Sequence, residues 1–262
     1  MLYDVHTHAF HPKIAHKVVA QLEDHYGIEP ACNGLVEDLL DRARRGGIDK
    51  VVALSAATAP AQVVPANNWA IGLMQSHPEI VSFGTLHPEY ADWETELARL
   101  KAAGIKGLKF HPEFQGFWMD DVRLLPIMEA AQRDFVFLFH VGDRAEPAKN
   151  PSCPFKLMAL ATMFPQARII AAHLGGYLHW QWALQVLIGK NVWLDTSSAI
   201  PYIDPTALND IFTRHPRERI LFGSDYPLRC PAEDRVDQQL ALRFSDTEME
   251  ELMTNAEALL GG

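Results

Sequence analysis

The chain has 262 residues, 48% of them hydrophobic and 21% charged, with a formal net charge of −10. This is the composition of an ordinary globular protein, long enough to bury a large core. The acidic balance excludes the basic face that nucleic acid requires, and no apolar run approaches the roughly 18 residues of a membrane span. Asp4, His6 and His8 interrupt any early apolar stretch, so no signal peptide is expected. The three cysteines, Cys32, Cys153 and Cys230, are odd in number, far apart and outside any C-x-x-C pattern. They read as reduced thiols of a cytoplasmic protein.

In chain order, short apolar runs with β-branched or aromatic content recur at 2–6, 50–55, 80–86, 107–111, 135–140, 168–173, 191–196 and 220–225. Amphipathic segments of helical length lie between and after them, at 33–45, 65–76, 92–103, 121–133, 154–164, 177–188, 205–214 and 233–260. Strands alternating with helices predict right-handed crossovers and a parallel sheet. Eight such units in about 250 residues predict a (β/α)8 TIM barrel, a single domain over residues 1–262, with its active site at the C-terminal face of the strands.

The connections differ in kind. His77-Pro78, Phe164-Pro165 and His215-Pro216 each close a helix just before a strand, which places them on the bottom of the barrel. His77 and His215 are therefore expected to be solvated helix-end residues. The segments leaving the strands are longer and chemically varied. Residues 9–33 carry His11, His16 and His25, residues 112–120 carry Phe114, Phe117 and Trp118, and residues 141–154 carry Asp143, Arg144 and Lys149.

Chemistry gathers where strands end. The first run closes on His6-Thr7-His8, and a period of two puts both imidazoles on one face, with Asp4 deeper on the same side. In the fourth run, Leu108 and Phe110 should meet the helices, so Lys109 and His111 should face inward. The fifth, sixth and eighth runs are apolar and end in His140, His173 and Asp225. A polar residue capping a buried apolar strand is costly unless it is paired or ligating. His6, His8, His140 and Asp225 are thus expected to converge on one divalent ion, with zinc as the default and manganese or iron as alternatives. An incomplete protein shell marks a catalytic site rather than a structural one. His173, left over beside the ion, suits general acid/base work.

Asp4-Val5-His6-Thr7-His8, Gly107-Leu108-Lys109-Phe110-His111-Pro112, Phe139-His140-Val141-Gly142, Ala172-His173-Leu174-Gly175-Gly176 and Phe222-Gly223-Ser224-Asp225-Tyr226-Pro227 together resemble the amidohydrolase superfamily. The likeness is to its amidohydrolase-2 branch, which includes the aminocarboxymuconate-semialdehyde-decarboxylase-like enzymes. The resemblance implies His6, His8, His140 and Asp225 as metal ligands and His173 as the histidine that handles water and substrate. It implies hydrolysis of amides, lactones and related carbonyl compounds, or decarboxylation of small aromatic or dienoic acids. TatD-like nucleases are less similar, because this fourth run offers Lys109 and His111 in place of a bridging carboxylate. Histidinol-phosphatase-type phosphoesterases end on an Asp-x-His pair, and here Tyr226 and Pro227 follow Asp225.

The expected function is a metal-dependent hydrolase acting on a carbonyl-type bond of a small carboxylate-bearing molecule. A metal-bound water would attack, and Asp225 or His173 would take its proton. The alternative on the same residues is non-oxidative decarboxylation, and a third reading is a catalytically silent metal-binding barrel. Lys109 is expected to be uncarboxylated and to pair with a substrate carboxylate or Asp225, since one metal suffices in the amidohydrolase-2 branch. His111, Phe117, Trp118, Arg144 and Arg229 are candidate walls for an anionic, partly unsaturated substrate. The expected partner is a small molecule, with neither nucleic acid nor membrane, and self-association is left open.

Overall fold

The computed structural model describes residues 1–261, so Gly262, the end of the expected domain, lies outside the described residues. Eight parallel strands follow one another in sheet order: β1 (Tyr3–Thr7), β2 (Lys50–Ala53), β3 (Ile80–Gly84), β4 (Gly107–Phe110), β5 (Val136–Phe139), β6 (Arg168–Ala171), β7 (Trp193–Asp195) and β8 (Ile220–Leu221). Backbone hydrogen bonds from Val5 N–H to Phe222 O (2.9 Å) and from Asp225 N–H to His6 O (2.8 Å) join the chain after β8 to β1. The sheet is therefore a (β/α)8 barrel, as the count of alternating runs predicts.

The helices are α1 (Ala15–Tyr26), α2 (Val36–Arg45), α3 (Val63–Ser76), α4 (Trp93–Ala102), α5 (Pro112–Gln115), α6 (Leu125–Ala131) and α7 (Pro154–Met163). They continue with α8 (Trp180–Val186), α9 (Pro205–Arg214), α10 (Pro231–Leu242), α11 (Asp246–Thr254) and α12 (Glu257–Leu260). Two of these fall in stretches expected as loops, namely α1 in 9–33 and α5 in 112–120. The expected last helix is divided into three: Arg243 takes a left-handed backbone (φ 55°), and Ser245 starts α11 with a capping box closed by Glu248. Among the described residues, no helix is long and apolar enough to cross a membrane.

Alternation along the strands sorts side chains between two cores. Phe137 and Phe139 of β5 join Leu108 and Phe110 of β4 in the cluster packed against the helices. Val136 and Leu138 face the barrel interior with Val5, Val52, Leu54, Phe83 and Ile170. Burying each such side chain contributes roughly 1.5–3 kcal/mol. Ala256, Leu259 and Leu260 join the interior cluster, so the C-terminal residues stopper the barrel from below. Asn255 anchors that stopper by donating to the carbonyls of Arg217 and Ile220 (2.8 Å each).

Strand β1 departs from simple alternation. Asp4 pairs with Val51 and Thr7 with Ala53, three steps against two, which is a bulge. Tyr3 and Val5 face the interior below the bulge. Above it the phase has shifted, so His6 and His8 also reach inward while Thr7 turns to donate to Val52 O (2.8 Å).

His215 corrects the expectation of a solvated helix end, because it is buried (3% exposed). Its Nδ1 accepts from Gly189 N–H (3.1 Å), and its Nε2 donates to Val192 O (3.2 Å). The ring locks the α8–β7 connection to the end of α9, and burial lowers its pKa from 6.5 to about 4. Between those values the unfolded chain takes up the proton first, so stability is fully present above pH 6.5 and falls as pH drops towards 4. Denaturant titration at pH 7 and pH 4.5 should show the parent losing roughly 2 kcal/mol more than a His215→Asn variant. Equal losses in the two proteins would refute this coupling.

Candidate metal centre

A cavity of about 400 Å³ opens at the C-terminal ends of the strands, with His6, His8, Lys109, His140, His173 and Asp225 on its wall. Three of its donor atoms converge. His6 Nε2 lies 3.5 Å and His8 Nε2 3.7 Å from Asp225 Oδ1. Zinc holding N and O ligands at about 2.1 Å in a tetrahedron would place them about 3.4 Å apart, so the donor set fits one divalent ion.

The tautomers agree with that fit. His6 Nδ1 donates to Asp195 Oδ2 (2.9 Å) and His8 Nδ1 to Leu54 O (3.3 Å), which leaves both Nε2 lone pairs facing Asp225. A carboxylate behind a ligating imidazole fixes its orientation and raises its basicity. Ser198 Oγ donates to Asp225 Oδ2 (2.6 Å), which frees Oδ1 for the imidazoles. Burial pushes Asp225 up to about 6, against the hydrogen bond from Ser198 and the charge of Lys109. Lys109 is fully buried, with Nζ 3.3 Å from His6 Nε2, and burial lowers it to about 8.

His140 does not join this trio. Its Nε2 donates to Gly142 O (2.8 Å), and its Nδ1 lies 3.0 Å from His173 Nε2. His173 Nδ1 faces Ser197 O at 2.9 Å. With each outer nitrogen donating to a carbonyl, two lone pairs face each other, and burial holds both rings neutral. The pocket is thus rich in lone pairs and poor in protons, a chemistry that a bound cation satisfies. His6, His173 and Asp195 form a second cluster, in which His6 Nδ1 already donates to Asp195, and His111, Glu113 and His140 form a third. The rings of His111 and His140 are parallel, however, 3.9 Å apart at 11°. In-plane lone pairs of parallel rings do not meet at one ion, so this cluster is not a metal site.

Backbone geometry aims the chemistry. Asp225 (φ 72°), His173 (φ 60°) and Ser198 (φ 45°) all hold left-handed conformations, which cost non-glycine residues on the order of 1 kcal/mol each. Gly142 (φ 82°) is obligatory, since a Cβ there would collide with the Tyr177 backbone. Asp4, expected deeper on the side of the two imidazoles, supports the backbone. Its Oδ1 accepts from His6 N–H (3.1 Å) and Ser224 N–H (3.0 Å), tying β1 to the segment after β8.

Four expected wall residues lie elsewhere. Trp118 is 45% exposed, outside the cavity, with Lys156 Nζ 4.8 Å above its ring. Phe117 is buried against Phe110. Arg229 pairs with Asp234 and Asp237, and Arg144 donates to the backbone carbonyl of Tyr26. Their places are taken by Phe10, Leu54, Phe114 and the inner face of α1 with Val18, Leu22 and Tyr26. His111 does line the cavity, with Nε2 3.1 Å from Tyr26 Oη. Asp195 was missed by sequence reasoning, although Trp193-Leu194-Asp195 shows the same apolar run capped by a polar residue that marks His140 and His173.

Residues 3–262 match the family model described as amidohydrolase, and the chain belongs to the amidohydrolase-2 branch. No curated relative matches it. Among solved structures, an uncharacterised TIM-barrel protein from Bordetella bronchiseptica is similar at 17% identity and TM-score 0.78, over 99% of this chain and 98% of that one. A probable 2-pyrone-4,6-dicarboxylic acid hydrolase from Acinetobacter baumannii, with citric acid bound, is similar at 17% identity and TM-score 0.72, over 100% and 99%. A dihydroxybenzoic acid decarboxylase from Polaromonas sp. JS666, with bound manganese and 2-nitroresorcinol, is similar at 16% identity and TM-score 0.71, over 99% and 96%. At these identities the likeness is one of fold.

Elemental analysis of the purified protein should give about one divalent ion per chain. His6→Ala and Asp225→Asn should each abolish it, while Asp195→Asn should weaken ion affinity roughly 10- to 100-fold without changing the stoichiometry at saturation. An ion retained by both His6→Ala and Asp225→Asn would place the centre elsewhere.

Proposed function

We propose that the protein is a metal-dependent hydrolase of a carbonyl-type bond, an amide, lactone or related group, in a small carboxylate-bearing molecule. The observation that carries this reading is the convergence of His6 Nε2, His8 Nε2 and Asp225 Oδ1 at the floor of a cavity, with Lys109 Nζ 3.3 Å from His6. Two imidazoles and a carboxylate suit zinc, and also the manganese bound by the decarboxylase of similar fold. Three free, buried cysteines fit a reducing, cytoplasmic setting, and the whole chain acts as one domain.

When bound, the ion supplies Lewis-acid polarisation of a carbonyl and acidifies water. The Asp225 carboxylate, oriented by Ser198, takes a proton from the attacking water. His173 Nε2, 3.0 Å from His140 Nδ1, receives that proton from Asp225 and returns it to the leaving group. Lys109, the one lysine on the wall, pairs with the substrate carboxylate. Val18, Leu22, Leu54 and Leu228 keep bulk water from the reacting carbon.

Non-oxidative decarboxylation of a small aromatic or dienoic acid is the second reading. It is favoured by walls that are apolar above the centre and carry no arginine among the described residues, since such surroundings destabilise a carboxylate relative to carbon dioxide. Incubating the metal-replete protein with lactones, anilides and aryl carboxylates separates the two. Hydrolysis delivers a new carboxylate and a proton, whereas decarboxylation evolves carbon dioxide. Under either reaction, Lys109→Met should lower kcat/KM about 100-fold or more while the ion is retained. No turnover of any panel member by the metal-replete parent would support the silent metal-binding barrel and overturn both.

A further inference from the structure

Resting on that reading of the centre, we propose that Tyr26 contacts the substrate, presenting its phenolic hydrogen to a substrate oxygen, and that Arg144 positions it. Tyr26 is the last residue of α1, which crosses the cavity mouth between β1 and α2. It is 8% exposed, and it lines the cavity together with His140, His173 and Asp225. Its hydroxyl has one protein neighbour among the described residues, His111 Nε2 at 3.1 Å.

The direction of that bond follows from the other side of the ring. His111 Nδ1 accepts from Phe114 N–H at the start of α5, and a backbone N–H can only donate. Glu113 Oε2, 3.5 Å from the same Nδ1, makes no hydrogen bond. Neutral His111 therefore carries its hydrogen on Nε2 and donates it to Tyr26 Oη. The phenolic hydrogen then has no acceptor in the protein, although the side chain is buried. Buried donors are almost always satisfied, so this one is satisfied by the molecule that fills the cavity. Burial and the charge of Asp225 both raise the phenol's pKa, which keeps the hydrogen in place.

Arg144 fixes the other end. Its guanidinium donates to the backbone carbonyl of Tyr26, and next to it His25 Nε2 lies 3.1 Å from Asp143 Oδ2. Both contacts pin the C-terminal end of α1 to the segment that follows β5. Arg144 is thus a positioning residue, acting through the main chain of Tyr26 rather than by touching the ligand. The ligand this arrangement takes carries one oxygen on the ion and Lys109 and a second acceptor oxygen, such as a carbonyl, phenolate or the other carboxylate oxygen, at Tyr26.

The probe is 4-nitrobenzoate, titrated calorimetrically into metal-replete parent, Tyr26→Phe, Arg144→Met and the double variant, with the ion content of each measured in parallel. Tyr26→Phe keeps the ring and removes the hydroxyl, so it should bind about tenfold more weakly with an unchanged ion content. Arg144→Met should weaken binding by a smaller factor, and the double variant should match Tyr26→Phe, because both act through one hydroxyl. Unchanged affinity in Tyr26→Phe, or additive losses in the double variant, would overturn the proposal. Equal binding to metal-free and metal-replete parent would instead overturn the reading of the centre, and with it the role of Tyr26.

Discussion

Everything at the rim depends on the seam where β1 meets the chain just past β8. His6 and Asp225 are 219 residues apart in sequence, yet the Asp225 amide bonds the His6 carbonyl at 2.8 Å. Asp4 reinforces the seam by accepting from the amides of both His6 and Ser224. Closing a barrel is a long-range event whose loop entropy must be offset by contacts elsewhere. Here the contacts that close it also create the donor set, so folding and assembly of the centre are one event rather than two.

Around that seam the pocket is organised in two layers. The lower one is polar and rigid: Asp195, Ser197 and Ser198 hold His6, His173 and Asp225 from behind. The upper one is apolar and is contributed in part by α1, with Val18, Leu22 and Tyr26, beside Phe10, Leu54, Phe114 and Leu228. α1 is thus an addition to the minimal barrel, and its inner face lines the cavity. A probable hydrolase and several decarboxylases share the fold at 15–18% identity, which agrees with chemistry set at the rim and not by the scaffold.

Much of the scaffold was legible because periodicity is a local property. Eight apolar runs alternating with amphipathic segments, and proline stops before strands, specify a barrel with little ambiguity. The orientation of Lys109 was equally readable, since Leu108 and Phe110 on either side had to meet the helices. What escaped was non-local. The bulge in β1 comes from how Asp4 and Thr7 register against β2, and alternation alone wrongly set Asp4 in line with the two imidazoles. Val18, Leu22 and Tyr26 repeat at a helical spacing, but their segment reads as a connection leaving the first strand. Trp118 and Arg144 were assigned to the wall by residue type, and the paths of their loops carried one outwards and tied the other to the main chain of Tyr26.

The stopper formed by Ala256, Leu259 and Leu260 has an electrostatic consequence. It turns the barrel from a pipe into a cup. Water reaches the buried charges from one side only, and beneath Lys109 and Asp195 lies hydrocarbon. Field lines from these groups are weakly screened below and run towards the solvent above. The barrel acts as a dielectric lens, concentrating the potential of these groups at the opening of the cavity.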